Sequence, residues 1–278
     1  MSDRVTIDLK AGVADVRLNR PEKMNAIDSA MFEALTEAGQ QLAKEPSVRA
    51  VVLTGEGRGF CAGLDMASFA GMASGERKPR RDEPESSGND GGLLAKSDES
   101  PATVAQNAAW VWRTLPVPVI AGLHGVAYGA GLQIALAADM RIVSPDARLS
   151  IMEIKWGLVP DMTGTQTLRH LVRDDVAREL TYTGRIISGL EARELGLATQ
   201  VDENPQQAAY EMAMEIASKS PSAIRADKEL LNAASLVSLE EGLRLEARLQ
   251  GGLIGKPNQI EAVRANMEKR APKFDDPE

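Results

Sequence analysis

The sequence has 278 residues, of which 43% are hydrophobic and 26% charged, as expected for a globular protein with a sizeable buried core. Its formal net charge of −8 argues against general nucleic-acid binding, because neutralising phosphates requires a basic face. A single cysteine, Cys61, excludes an intrachain disulfide and favours a reducing, cytoplasmic compartment. Residues 1–10 lack the apolar core of a signal peptide.

Alternating apolar residues predict two strands near the start, over residues 5–9 and 16–18, joined as a hairpin at residues 11–12. Apolar residues then recur at helical spacing between 31 and 42, which predicts an amphipathic helix. The sequence RAVVLT at 49–54 predicts a short buried strand ended by glycines. This succession of strand, helix and strand favours an α/β fold.

The segment from 71 to 100 mixes charges of both signs with Pro, Gly and Ser. It has too little apolar surface to offset the entropy of ordering, so we predict a mobile surface loop. A functional lid over a site is the alternative interpretation.

Residues 114–138 contain no Asp, Glu, Lys or Arg and are numerous enough to cross a bilayer. Two prolines and four glycines make a continuous helix there implausible. We therefore predict a buried strand at 117–121, a Gly-rich turn and a helix at 130–139, followed by a strand at 140–143, and no membrane span.

The chain downstream of about residue 204 has a purely helical pattern. A capping box is predicted at Ser238–Glu241, a similar spacing occurs at Ser188–Glu191, and Ser220-Pro221 is a typical helix start. We predict a domain over 1–203 and a helical region over 204–278. The helical region carries leucines at a spacing that forms apolar faces, which predicts association between copies of this chain. These leucines are Leu230, Leu231, Leu239, Leu243, Leu249 and Leu253.

Two Gly-rich segments are candidate binding loops: GFCAGLD at 59–65 and GVAYGAGLQ at 125–133. The second follows a strand and opens a helix, where free N–H groups favour an anion or a developing oxyanion. A plain turn is the alternative for the first segment. A dinucleotide-binding loop is the alternative for the second, although Ile134 occupies the place of the third glycine.

Glu153 and Asp161 lie in a segment with few other charges and are candidates for proton transfer, with solvent exposure or helix capping as the alternative. No Gly-x-Ser-x-Gly motif is present, and no zinc or calcium ligand spacing occurs. We interpret Cys61 as a packed residue rather than a reactive thiolate.

These segments, in this order, resemble the crotonase (enoyl-CoA hydratase/isomerase) superfamily over almost the whole chain. The resemblance implies a crotonase-like spiral of repeated ββα units with a C-terminal helical trimerisation region, and a homotrimer or hexamer. It also implies acyl-CoA substrates, with coenzyme A as part of the substrate and without metal or nicotinamide. The segments that carry it are residues 18–28, 51–66, 118–142, 153–168 and 180–201.

The resemblance also implies site residues. The backbone N–H groups of Leu64 and Ala130 would form an oxyanion hole for the thioester oxygen. Glu153 matches the second glutamate of the hydratases, whereas Gln133 stands where they have the first. Asp161 matches an acid of the dienoyl-CoA isomerases. The reaction therefore stays open between a hydratase/isomerase of fatty-acid metabolism, a Δ3,Δ2-enoyl-CoA or dienoyl-CoA isomerase with little hydratase activity, and a non-catalytic acyl-CoA-binding homologue.

An acidic chain must concentrate cations locally to hold the anionic coenzyme A. We expect these cations in the turn at 20–24, next to the 62–66 segment, with Lys269 or Lys273 supplied by a neighbouring copy. The residues predicted to bind the substrate and its coenzyme A are Arg20, Lys23, Ala62, Asp65, Met66 and Gly129.

Overall fold

The structure is a computed structural model that describes residues 3–68, 92–95 and 100–277. Most of the loop predicted at 71–100 lies outside the described residues. The part of it that is described includes a short 3-10 helix, Gly92–Leu94.

Two sheets form the framework. The larger has six strands in the order β1-β2-β3-β4-β6-β9, and the smaller has three in the order β5-β7-β8. Pairing is parallel except within β1–β2 and β7–β8. The strands are β1 (Val5–Lys10), β2 (Val13–Leu18), β3 (Ala50–Gly55), β4 (Val119–Leu123), β5 (Val126–Tyr128), β6 (Met140–Val143), β7 (Arg148–Ser150), β8 (Ile187–Ser188) and β9 (Gln200–Val201).

The predicted N-terminal hairpin is confirmed, with Ala11 and Gly12 at positive φ in its turn. From β4 to β7 the chain alternates between the two sheets, and a helix follows β5. This alternation is the repeated strand–strand–helix unit that the resemblance implies.

Ten α-helices lie within the described residues. They are α1 (Ser29–Ala43), α2 (Val104–Thr114), α3 (Ala130–Ala137), α4 (Gly164–Leu168), α5 (Asp174–Thr183), α6 (Gly189–Leu195), α7 (Pro205–Ala217), α8 (Pro221–Ala233), α9 (Leu239–Leu253) and α10 (Pro257–Met267). Further 3-10 helices span Pro21–Lys23 and Glu153–Trp156.

Local capping explains several helix starts. Asp28 accepts a hydrogen bond from Met31 N and begins α1, whose predicted apolar face is buried. The capping box predicted at Ser238 forms at the start of α9. A second capping box, at Thr103, begins α2, a helix that the sequence analysis did not predict. At the start of α6, the Ser188 side chain accepts a hydrogen bond from the Glu191 N–H, as the Ser188–Glu191 spacing in the sequence indicates.

Both faces of the larger sheet are covered. The main core includes residues of α1, α2 and α3. Residues of α7 pack on the other face, where Ala209 and Ala213 meet Val52 and Ile120. Although α7 begins next to the predicted boundary at 204, it is therefore a layer of the sheet domain as well as the first helix of the C-terminal region.

The later helices leave much apolar surface exposed. No residue of α9 is buried, and Leu231 and Leu239 are 74% and 81% exposed. The amine of Lys228 joins α8 to the main body by donating to Val117 O and to Asp139 Oδ2, each at 2.8 Å.

The uncharged stretch at 114–138 contains the predicted strand, β4, and the predicted helix, α3. The structure adds the end of α2 before them and the short strand β5 where the sequence predicted only a Gly-rich turn. Within the three described ranges, no helix has the length and apolar character needed to span a membrane.

Candidate active site

A cavity of about 340 Å³ lies where the 62–66 segment, β5, the start of α3 and the segment 152–162 meet. Its wall is largely apolar, and its acidic side chains among the described residues are Glu153 and Asp161. The lining residues are Phe32, Ala62, Gly63, Leu64, Met66, Leu93, Leu94, Ala105, Tyr128, Gly129, Ala130, Met152, Glu153, Trp156, Leu158, Asp161 and Met162.

Main-chain pairing brings the first Gly-rich segment to the cavity. Cys61 N donates to Val126 O at 2.9 Å, and Tyr128 N donates to Cys61 O at 3.0 Å. A Cβ atom on Gly63, which has φ +90°, would lie 2.7 Å from Tyr128 O. Glycine is therefore required at position 63, because any side chain would push the two segments apart.

The next residues pair with the 24–28 segment on their other side. Ile27 N donates to Gly63 O at 2.8 Å, and Asp65 N donates to Ile27 O at 3.0 Å. The N–H and C=O of one trans peptide unit point in opposite directions. The Leu64 N–H therefore points away from Ile27, and Leu64 itself lines the cavity.

Ala130 is the first residue of α3, where backbone N–H groups have no partner within the helix. Gly129, at φ +50°, makes the sharp bend before it, and its own N–H donates to Ser150 O at 2.9 Å. A Cβ on Gly63 would lie 3.9 Å from Ala130 N, so the two segments are adjacent. Within the described part of the chain, neither Leu64 N nor Ala130 N donates to a backbone carbonyl.

Gln133 and Glu153 form a buried pair, and Glu153 lines the cavity. Gln133 Nε2 donates to Glu153 Oε1 at 2.6 Å, and Gln133 Oε1 accepts from Met162 N at 2.8 Å and Gly164 N at 3.1 Å. A carbonyl oxygen has two lone pairs, and both are used here. The amide therefore holds Glu153 in place, while Glu153 Oε2 is buried without a hydrogen-bond partner.

The environment favours the protonated form of both acids. Burial is the main cause that raises the pKa of Glu153, the charge of Asp161 adds to it, and hydrogen bonds from its own backbone and Gln133 partly oppose it. Asp161 is exposed at the cavity wall, yet the surrounding atoms desolvate its carboxyl enough to raise its pKa. Both carboxyls are thus better able to hold a proton than freely solvated acids.

The residues predicted to bind coenzyme A separate into two groups. Ala62, Met66 and Gly129 line the cavity. Arg20 and Asp65 do not line it. They pair with each other, and the Arg20 side chain is only 13% exposed. Lys23 is exposed in the 3-10 helix Pro21–Lys23.

Cys61 is buried, its thiol donates to Asn25 O at 3.1 Å, and burial raises its pKa to about 12. It is a packed residue, as predicted. Sequence reasoning missed Phe32, Ala105 and Met162 in the cavity wall. The first two are indistinguishable in sequence from core residues of α1 and α2, whereas Met162 stands next to the predicted Asp161.

The profile of the family described as enoyl-CoA hydratase/isomerase matches residues 8–277. The chain belongs to this family. It is 32% identical over 265 residues to a probable enoyl-CoA hydratase of Bacillus subtilis, covering 94% of this chain and 95% of that protein. It is also 32% identical over 260 residues to the peroxisomal Delta(3,5)-Delta(2,4)-dienoyl-CoA isomerase of Arabidopsis thaliana, covering 92% and 90%.

Solved structures agree. The crystal structure of enoyl-CoA hydratase from Bacillus anthracis superposes with a TM-score of 0.84 at 32% identity, covering 98% of each chain. The predicted crotonase fold is therefore confirmed, and the chain is an enzyme of the hydratase/isomerase type. Because the relatives include both hydratases and an isomerase, the family alone does not choose the reaction.

Proposed function

We propose that this family member moves a carbon–carbon double bond within an enoyl-CoA or dienoyl-CoA thioester, with Glu153 as the principal acid/base. The observation that carries the proposal is the set of hydrogen bonds made by the Gln133 side-chain amide. Its carbonyl oxygen is filled by two backbone N–H groups, and its amide nitrogen donates to Glu153. Gln133 is thus a positioning residue for Glu153, whose Oε2 is the buried carboxylate oxygen without a hydrogen-bond partner among the described residues.

This arrangement disfavours adding water to a double bond. Hydration needs groups that hold the attacking water and share its proton. A neutral amide whose acceptor oxygen is already filled cannot take a proton from water, and its second N–H can at most orient that water. A positioned proton-transfer group contributes roughly 10²–10⁴-fold to a rate. Migration requires only that a proton leave one carbon and arrive at another, which a single carboxyl can accomplish.

The main-chain donors supply the other half of the chemistry. We assign the N–H groups of Leu64 and Ala130 as the oxyanion hole, since both residues line the cavity and their segments are adjacent. Hydrogen bonds there stabilise the negative charge that develops on the thioester oxygen. Losing one such donor typically lowers a rate by about 10²–10³-fold.

The steps balance without an added reagent. Glu153 Oε2 takes a proton from C2 of a 3-enoyl thioester, and the electron pair moves through the carbonyl carbon onto the oxygen. The carboxylic acid then returns the proton to C4, and the double bond settles between C2 and C3. Asp161 assists when the carbon that receives the proton lies farther along the chain. No electron is gained or lost, so the reaction needs no nicotinamide. The two N–H groups polarise the thioester carbonyl as a Lewis acid would, so we propose no metal, and coenzyme A enters only as part of the substrate.

The cavity wall and the exposed residues around it support further parts of the proposal, which concern the acyl chain, the assembly and the compartment. The apolar cavity wall supports a hydrocarbon acyl chain, as in fatty-acid metabolism. The exposed leucines of α8 and α9 support a homotrimer or a hexamer made from two trimers. The exposed Lys23 remains our candidate cation for the coenzyme A phosphates, and the buried Cys61 thiol is compatible with a cytoplasmic enzyme.

A panel of thioesters tests the proposal. The purified enzyme is offered trans-3-enoyl-CoA, 3,5-dienoyl-CoA and trans-2-enoyl-CoA substrates of several chain lengths, and chromatography measures both migration and water addition. We expect migration to be the faster reaction. Predominant water addition would overturn the proposal in favour of a hydratase, and tight binding without turnover would favour the non-catalytic acyl-CoA-binding protein.

A further inference from the structure

The 63–65 segment is held by more than its backbone pairing with Ile27. Arg20 Nη1 donates to Asp65 Oδ2 at 2.5 Å and to Ala26 O at 3.0 Å. One guanidinium nitrogen therefore ties the residue that follows Leu64 to the residue that precedes Ile27. The pair is largely shielded from water, since its side chains are 13% and 12% exposed.

The second carboxylate oxygen of Asp65 is also engaged. Asp65 Oδ1 accepts from Ala67 N at 2.8 Å, which fixes the turn beyond Leu64. The Ala67 N–H, followed by the Arg20 hydrogen bond, holds the pKa of Asp65 below its usual value. The carboxylate is thus charged and directed at two partners of its own protein, leaving it little capacity to contact a ligand.

Asn25 binds the residues that lead to the 63–65 segment. Its side chain is fully buried, and Nδ2 donates to the carbonyls of Glu56, Gly59 and Phe60 at 2.9–3.1 Å. Its Oδ1 accepts the backbone N–H of Arg20 at 2.8 Å. Asn25 thereby fixes the backbone of Arg20. The segment 56–65 is attached to the 20–27 turn near its start by Asn25 and at its end by the Arg20–Asp65 pair.

We infer that the Arg20–Asp65 ion pair is a positioning device for the oxyanion hole: it sets the direction of the Leu64 N–H rather than binding coenzyme A. The inference rests on the oxyanion role proposed above for Leu64. Neither side chain lines the cavity. Each acts through the peptide group between Gly63 and Leu64, whose carbonyl bonds to Ile27 and whose N–H points the other way.

The most informative variant is Asp65→Asn. The asparagine oxygen still accepts the Ala67 N–H, so the local turn is retained while the nearest carboxylate charge beside Arg20 is removed. The carboxylates of Asp28 and Glu22 lie farther from the Arg20 guanidinium, at 3.6 and 3.8 Å. A displacement of a reacting or stabilising group by about 1 Å can lower a rate by about 10²-fold. We therefore expect kcat on the preferred substrate to fall by about 10- to 100-fold, with KM changed by less than about threefold.

A spectroscopic readout separates positioning from general damage. Butyryl-CoA labelled with ¹³C at its carbonyl is saturated, so it undergoes neither migration nor hydration. In the wild type, the infrared carbonyl stretch should move to lower frequency on binding, because the two N–H groups polarise the carbonyl. In Asp65→Asn and Arg20→Met at least half of that displacement should be lost, and Arg20→Lys, which keeps a cation beside Asp65, should retain most of it.

Arg49→Met is a matched control. Arg49 is also a half-buried arginine that pairs with an aspartate, Asp276, and donates to a backbone carbonyl, that of Phe274, but it does not line the cavity. Its variant should keep the wild-type carbonyl stretch and kcat. Thermal melting of every variant identifies any that fails to fold, and Arg20→Lys provides the test if Asp65→Asn does not fold.

Calorimetry with free coenzyme A completes the experiment. We expect its affinity to be unchanged in folded Asp65→Asn and Arg20→Lys. A wild-type carbonyl stretch in folded Asp65→Asn would overturn the inference, as would weaker coenzyme A binding by Arg20→Lys with an unaltered stretch. These readouts need no turnover, so failure of the migration reaction in the thioester panel is a separate result.

Discussion

Replacing Gln133 with glutamate tests the feature that distinguishes this site. The substitution places a second carboxylate oxygen where Gln133 Nε2 now lies, 2.6 Å from Glu153 Oε1. At an effective dielectric constant of about 20, two unit charges 2.6 Å apart repel by about 6 kcal/mol. This repulsion strongly disfavours ionising both carboxyls, so the two acids will share one proton at neutral pH.

A pair that shares one proton is equipped for hydration, because one member accepts a proton from water while the other donates. We expect Gln133→Glu to raise water addition relative to migration by about 10²-fold. Since the second ionisation of the pair is displaced upward from the ordinary pKa of a glutamate, hydration should decline as the pH rises into the alkaline range. Migration should fall near neutral pH, because Glu153 is no longer a free carboxylate.

Product analysis by chromatography, repeated from pH 5 to pH 10, measures both reactions. Gln207→Glu is the matched control, since it adds the same charge 2.8 Å from another glutamate, Glu211, on the exposed surface of α7. It should change neither reaction. If folded Gln133→Glu keeps the wild-type ratio of products and the wild-type pH profile, the Gln133–Glu153 contact does not select the reaction.

Four further outcomes follow from particular contacts. Glu153→Gln should lower kcat by about 10²–10⁴-fold, while calorimetry should show nearly unchanged thioester affinity. In the wild type, the acidic limb of the rate profile should lie at higher pH than for an exposed glutamate, because burial raises the pKa of Glu153. Lys228→Met leaves the Asp139 carboxylate without its amine partner and should lower the free energy of unfolding, measured in urea, by about 3 kcal/mol. An unchanged free energy of unfolding would show that the Lys228–Asp139 pair does not stabilise the fold. Light scattering should give three or six times 29.8 kDa for the wild type and a smaller assembly for Leu239→Glu, and a stable wild-type monomer would refute the trimer. Lys23→Ala should weaken free coenzyme A binding several-fold at low salt and less at high salt, and equal affinities at low salt would remove Lys23 from the site.

Features encoded by neighbouring residues were predictable. The apolar spacing of α1, the alternation in β1 and β2, and the capping box at Ser238 each depend on residues within a few positions of one another. The strands β5 and β7 were missed because three residues are too few to establish a period of two. The helix α2 was missed although its capping pair, Thr103 and Gln106, is visible in the sequence.

The site shows the same division. Motif order identified Glu153, Asp161, Leu64 and Ala130 as candidates and placed Gln133 among them, and four of these five residues line the cavity. Only the folded chain decided that both lone pairs of the Gln133 carbonyl are taken by N–H groups 29 and 31 residues away. Sequence reasoning likewise offered Arg20 and Asp65 as coenzyme A ligands, and only the folded chain shows that they pair with each other across 45 residues. Residue type specifies what a side chain is able to bond, but its actual partner depends on which distant segments the core brings within about 3 Å.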